Sequence, residues 1–176
     1  MKKSLAACLL LVIATLANGF QNSGEWVKYT SAEGRYSALL PQQPKLSSQE
    51  SASAIGAKLT QYMAQATDSD SMYMLGYFDI LPNTVYSLDK GRDGIINAVK
   101  GTLLSEEAVS LGGHPGRELK IAVKTQDYEL LIRGRLYEIG GRVYILWHSF
   151  LKSADSSAMT DKTAKFFDSF KVAQNK

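Results

Sequence analysis

The most regular hydrophobic pattern in the chain lies at residues 128–151, YELLIRGRLYEIGGRVYILWHSFL, where side chains alternate on either side of Gly140-Gly141. Alternation of period two sends successive side chains to opposite faces of a strand. Two adjacent glycines accept the positive φ that both central positions of a tight hairpin turn require. With those glycines as the loop, Ile139 pairs Arg142, Tyr137 pairs Tyr144, Leu136 pairs Ile145 and Gly134 pairs Trp147. One face then carries Leu130, Ile132, Gly134, Leu136, Val143, Ile145 and Trp147. The other carries Leu131, Arg133, Arg135, Tyr137, Tyr144, Leu146, His148 and Phe150. Gly134 has no side chain opposite the largest one, so Trp147 is expected to cover it.

A second register, derived separately, selects the same faces. Residues 117–125 read as a strand followed by a Gln126-Asp127 loop, which pairs Val123 with Leu130, Ile121 with Ile132 and Leu119 with Gly134. On the opposite face Glu118 falls beside Arg135 and Lys124 beside Glu129, both favourable cross-strand charge pairs. A slip of one residue would invert every assignment.

Elsewhere the pattern predicts strands over 26–30 and 36–40 around Glu33-Gly34, and a polar edge strand over 45–53. A turn at Ile55-Gly56 leads to a strand over 58–67. The Asp68-Ser69-Asp70-Ser71 turn leads to an apolar, centrally buried strand over 72–81. Leu88, Ile95, Ile96, Val99 and Leu103 recur at helical spacing, which predicts a helix over 88–102 capped by Ser87 or Asp89. A strand over 106–111 follows, then a Gly112-Gly113-His114-Pro115-Gly116 loop. A last helix is predicted over 157–167, with Met159, Thr163, Phe166, Phe167 and Phe170 as its buried stripe. Many antiparallel strands with two amphipathic helices predict an α+β sandwich: a central antiparallel β-sheet with helices packed on both faces.

Composition changes the picture at the N-terminus. Lys2 and Lys3 precede an apolar run from Leu5 to Ala17, and small residues then offer cleavage after Ala17 or Gly19. That layout predicts a signal peptide over 1–19 and one exported domain over 20–176, periplasmic or extracellular, touching the membrane only through the leader. Loss of 1–19 removes two lysines and no acidic residue, so the formal net charge falls from +3 to +1. A nearly neutral domain argues against general nucleic-acid binding, which needs a concentrated positive surface. Cys8, the single cysteine, leaves with the leader, so the mature chain folds without a disulfide.

Four phrases carry a resemblance. Glu33-Gly34-Arg35-Tyr36-Ser37, Gly113-His114-Pro115-Gly116-Arg117-Glu118, Arg135-Leu136-Tyr137 through Gly141-Arg142-Val143-Tyr144, and Phe167-Asp168-Ser169-Phe170-Lys171 occur in this order. The chain thereby resembles small exported bacterial proteins of the PsbP-like superfamily. The resemblance implies a central antiparallel sheet with helices on both sides. It carries over no catalytic residue, because its motifs are turns and core positions.

Candidate chemistry is sparse. Asp89 to Gly94 has acids at two calcium-loop positions, but Lys100 stands where a bidentate glutamate is needed, so acids favoured by a helix N-terminus are the better reading. Two distant histidines and no mature cysteine make zinc implausible, and no nucleophile elbow is present. No cofactor motif is read. The registers bring Lys120, Arg133 and His148 into one row, with Arg135 in the next and Tyr137 and Tyr144 beyond. These six residues form a candidate site for an anion or an acidic partner. The competing expectation is a surface row, its side chains lying over Leu131, Ala122 and Phe150 with their heads in water or paired to a helix carboxylate. In either case His148 beside Arg133 should resist protonation. The function expected is a non-catalytic binding module for a protein or small-molecule partner. The alternatives are a hydrolase with an unrecognised site around His114 or His148, and a carrier with an apolar cavity lined by Tyr73, Tyr77 and Phe166.

Overall fold

The computed structural model describes residues 25–52 and 58–173. The leader, Cys8 and the Ile55-Gly56 turn lie outside the described residues. The chain is a mostly-sheet α+β protein. Its strands are β1 (Val27–Ser31), β2 (Tyr36–Leu40), β3 (Lys45–Ala52), β4 (Lys58–Thr67), β5 (Ser71–Asp79), β6 (Thr102–Leu111), β7 (His114–Lys124), β8 (Glu129–Ile139), β9 (Arg142–Leu151) and β10 (Lys171–Val172). Helix α1 (Leu88–Val99) lies between β5 and β6, and α2 (Ser157–Ser169) between β9 and β10. Seven strands form one antiparallel sheet in the order β3-β4-β5-β9-β8-β7-β6, and β1-β2-β10 form a second, smaller sheet. Among the described residues no helix is long and apolar enough to cross a membrane.

The register expected from Gly140-Gly141 is the register observed, with Ile139 opposite Arg142 and Gly134 opposite Trp147. Both glycines have positive φ, 60° and 78°. The β7–β8 pairs are also those expected, Glu118 with Arg135 and Val123 with Leu130 included. The preceding turn is tighter than its sequence suggests. Only Gly112 and Gly113 form it, at φ 57° and 85°, and His114, Pro115 and Gly116 already belong to β7, paired with Leu111, Ser110 and Val109. Proline is tolerated there because pairing with β8 begins one residue later, at Gly116 opposite Tyr137.

The two alternating side-chain sets of β8 and β9 are both buried. Ile132, Leu136, Val143, Ile145 and Trp147 join Met74, Leu119 and Ile121, and Leu88, Ile95, Ile96 and Val99 of α1 pack against them. Tyr137, Tyr144 and Leu146 join Tyr36, Tyr73, Tyr77, Phe166, Phe167 and Phe170. Leu131 and Phe150 join Met159 of α2. Ser87 caps α1, its hydroxyl accepting from the Lys90 amide, and Ser156 caps α2 by accepting from Met159.

One local expectation fails. A Cβ at Gly134 would meet only the Leu146 carbonyl oxygen, at 3.4 Å, so the Trp147 ring does not lie over this glycine. The aromatic-over-glycine pair occurs elsewhere. A Cβ at Gly116 would collide with the Tyr137 ring and come within 2.7 Å of the Leu136 carbonyl oxygen.

Candidate functional site

Pairing brings the predicted residues together as rows. Lys120, Arg133, His148 and Tyr73 form one row across β7, β8, β9 and β5. Glu118, Arg135, Leu146 and Leu75 form the next. Gly116, Tyr137, Tyr144, Tyr77 and Tyr62 form the third, so four tyrosines stand side by side on four adjacent strands. The rows are mixed: Lys120, Arg133 and Arg135 are half-buried with their heads paired to carboxylates, as the surface reading expected, whereas the histidine and the tyrosines are buried. His148 is 0% exposed, and Tyr137 and Tyr144 are buried beneath Phe170, Tyr144 also meeting Tyr36. Polar groups enter this core with at least one hydrogen-bonding atom partnered there.

His148 shows how. Its ring stacks on Tyr73 with centroids 4.3 Å apart and contacts Phe150 at 5.0 Å. The Thr163 hydroxyl donates to the Met159 carbonyl at 2.8 Å, so it can only accept from His148 Nδ1, also at 2.8 Å. The ring is therefore the neutral Nδ1-protonated tautomer, and among the described residues its buried Nε2 has no hydrogen-bond partner. Burial lowers the His148 pKa to about 4. Asp68 opposes the shift, and Lys162 and Arg133 add to it. Resistance to protonation was expected from Arg133, but desolvation is the larger cause.

Beside His148 the Tyr73 hydroxyl lies 3.1 Å from Ser71 Oγ and donates to Asp68 Oδ2 at 3.2 Å. The Asp68 carboxylate is 4% exposed and pairs with Lys162 of α2 at 3.0 Å. Its other oxygen accepts from the Ser71 amide and hydroxyl and the Asp70 amide. Burial alone would raise this carboxyl, but the hydrogen bonds from Ser71, Lys162 and Asp70 bring it down to about 2. The Asp-Ser turn thus anchors α2.

The cations of the candidate rows are engaged as well. Lys120 and Arg133 both pair with Asp155, at 3.2 and 2.9 Å, just before α2, and Arg133 also donates to Thr160. Arg135 pairs with Glu118 at 2.6 Å and Asp168 at 3.3 Å, its guanidinium lying 4.8 Å from the Phe167 ring centre. An incoming anion at Lys120 and Arg133 would have to displace Asp155. Of the residues named for an apolar carrier, Tyr73 and Phe166 meet edge to face at 5.4 Å.

The four motif phrases converge at the end of this core. Arg142 forks onto both Asp79 oxygens at 2.7 and 2.9 Å, donates to the Glu33 carbonyl and stands 4.5 Å from the Tyr77 ring centre. The Tyr144 hydroxyl donates to the Gly34 carbonyl at 3.0 Å. Ser169 Oγ accepts from the Leu39 amide at 2.8 Å and donates to the Phe166 carbonyl at 2.7 Å. The phrases lock the β1–β2 turn and the end of α2 onto the large sheet.

Outside that core lies a cleft that sequence reasoning missed. Tyr36, Ala38 and Leu40 of β2 are buried, which turns Ser37 and Leu39 outward. Lys28 stands opposite Leu39, and Lys171 opposite Ser37. These residues, with Ala38, Asp168 and Ser169, line a cleft of about 310 Å³. Among the described residues Lys28 and Lys171 form no ion pair, whereas Asp168 is held by Arg135. The two lysines come from opposite ends of the chain, so only the alternation of β1 and the closing Phe167–Lys171 phrase hinted at them.

This arrangement of sheets and helices is a PsbP-like fold. The solution structure of cyanobacterial PsbP (CyanoP) from Synechocystis sp. PCC 6803 superposes with a TM-score of 0.57, covering 89% of this chain and 97% of that one at 14% identity. At that identity the likeness describes the fold alone. A protein of unknown function from Pseudomonas aeruginosa, titled a putative regulator, aligns over 74% of this chain and 85% of its own at 15% identity and a TM-score of 0.39, too low to carry an argument. No protein-family model and no curated protein sequence matches the chain.

Proposed function

We propose that the chain is an exported, non-catalytic binding module and that the Lys28–Lys171 cleft is its recognition surface. The observation that carries this reading is the contrast between cations. Lys120, Arg133, Arg135 and Arg142 all have carboxylate partners, whereas among the described residues the two lysines at the cleft have none. Ser37 adds a hydroxyl between them, and Leu39 offers an apolar floor. The group best suited to this lining is a carboxylate or phosphate on a partly apolar partner. Export rests on the leader at 1–19. The same reading takes the domain as a sandwich with one helix on each face of the large sheet. It is supported by α1 and α2 packing with side-chain sets that alternate along β8 and β9.

Titration of inorganic phosphate and of succinate into the isotope-labelled protein tests the cleft. Saturable amide shifts should centre on Ser37, Leu39 and Lys171 and disappear in Lys28→Ser/Lys171→Ser. Saturable shifts centred on Lys120 and Arg133 instead would move the site to the inner row. No saturable shift anywhere would remove the anion-binding reading.

A further inference from the structure

Among the described residues the two edge strands of the seven-stranded sheet, β3 and β6, are not alike. On β6 the register shifts between Leu103 and Ser105, and Glu106 is clamped by Arg92 and Arg117. Bulges and charges are the usual devices that keep an edge from pairing with another chain. Strand β3 has neither in its middle. It pairs with β4 in an unbroken register from Lys45–Gln65 to Ala52–Lys58, and its only charges are Lys45 at the start and Glu50, which reaches Lys58 on β4. Beside this edge are two exposed apolar residues, Leu46 at 63% and Tyr62 at 39%. Leu46 is opposite Ala64 and Ser48 is opposite Tyr62, so Leu46 and Tyr62 are diagonal neighbours on one face.

We infer that two copies of this chain join through β3, antiparallel about a two-fold axis centred on Ser47. Symmetry and side-chain chemistry choose this register. A two-fold axis perpendicular to the sheet keeps each face on its own side, so residues opposite one another across the seam must be of the same parity. Centring on Ser47 puts Leu46 of each copy opposite Ser48 of the other. The two leucines then become diagonal neighbours, each next but one to the other copy's Tyr62, and the exposed apolar surface of both copies closes over the seam. Lys45 falls opposite Gln49, so no like charges meet. Centring on Ser48 instead would set Leu46 against Glu50 and leave the leucines apart. The joined sheets leave the Lys28–Lys171 cleft of each copy on its own small sheet, so the inference stands independently of the function proposed above.

Two measurements on the full chain test it. Sedimentation equilibrium across micromolar to submillimolar concentrations should show a monomer–dimer equilibrium. Leu46→Lys should weaken it by about tenfold or more, since it places two cations side by side at the seam. In a Cys8→Ser background, Ser47→Cys supplies the sole thiol, directly opposite its own copy, and should cross-link under mild oxidation well ahead of Glu50→Cys. A chain monomeric throughout that range overturns the inference. So does cross-linking that is equally slow at both positions, or faster at Glu50→Cys.

Discussion

The aliphatic core that includes α1 and the aromatic core that includes α2 use alternate residues of the same strands, yet they cohere by different means. Among the described residues α1 has no fully buried side chain, and it rests half-buried leucine, isoleucine and valine on the sheet. Gly91 lets it approach Tyr86 and Leu136 closely. Helix α2 instead buries Met159, Thr163, Phe166 and Phe167 and is tied by Thr163 to His148, by Lys162 to Asp68 and by Ser169 to Leu39. Burial of area holds the first core, and it is tolerant of shape. The second adds hydrogen bonds whose loss leaves a buried polar group unpaired, so it depends more on position.

Deleting one large ring from each core tests this contrast most strongly. Phe166→Ala and Trp147→Ala should each cost about 3–5 kcal/mol in urea unfolding. Only Phe166→Ala should also move the His148 titration toward the ordinary histidine range, because it opens the aromatic core. Equal movement in both variants would mean that the cores are not separate in this sense.

The pH dependence of stability comes next. The folded-state pKa of His148, about 4, lies below the ordinary histidine value of 6.5, so the unfolded chain binds the proton more readily. The stability linked to neutral His148 is therefore complete above pH 6.5 and is lost as pH falls toward 4, by about 3 kcal/mol in all. His148→Asn keeps a donor for Thr163 and should remove this part of the slope between pH 6.5 and 4. Asp68, lowered from 3.8 to about 2, loses its contribution only below that window.

Smaller effects separate packing from polar locking. Arg142→Leu should cost about 2 kcal/mol, since it strands the Glu33 carbonyl and removes the fork on a largely exposed Asp79. Gly116→Ala should cost about 1–3 kcal/mol by crowding Tyr137 and the Leu136 carbonyl, whereas Gly134→Ala should stay within about 1 kcal/mol. Thermal unfolding of the two alanine variants distinguishes them, and a larger loss at Gly134 would restore the expected Trp147 cover.

Much of this architecture was legible in the sequence because period-two alternation, the Gly140-Gly141 turn and the Gln126-Asp127 loop determine register locally. The β7–β8–β9 pairing follows from residues that are close in the chain. The pairing of β10 with β2 does not, since two residues carry no periodicity and their partner lies at the far end of the chain. The misread feature was polarity. Lys120, Arg133, His148, Tyr137 and Tyr144 look like a wet face, but His148 and Tyr144 become core residues when Thr163 and Gly34 answer their polar atoms, while Lys120 and Arg133 stay half-buried and pair with Asp155. Those partners come from distant elements, so alternation alone cannot reveal them. The cleft was hidden for the same reason, because Lys28 and Lys171 meet only after β10 pairs with β2.

The tautomer and titration of His148 test the central claim that this row belongs to the aromatic core. Nitrogen-15 NMR of the imidazole should show a neutral, Nδ1-protonated ring throughout the neutral range, with protonation only near pH 4. An Nε2-protonated ring, or a pKa at or above 6.5, would place His148 in contact with solvent or an anion and contradict the account.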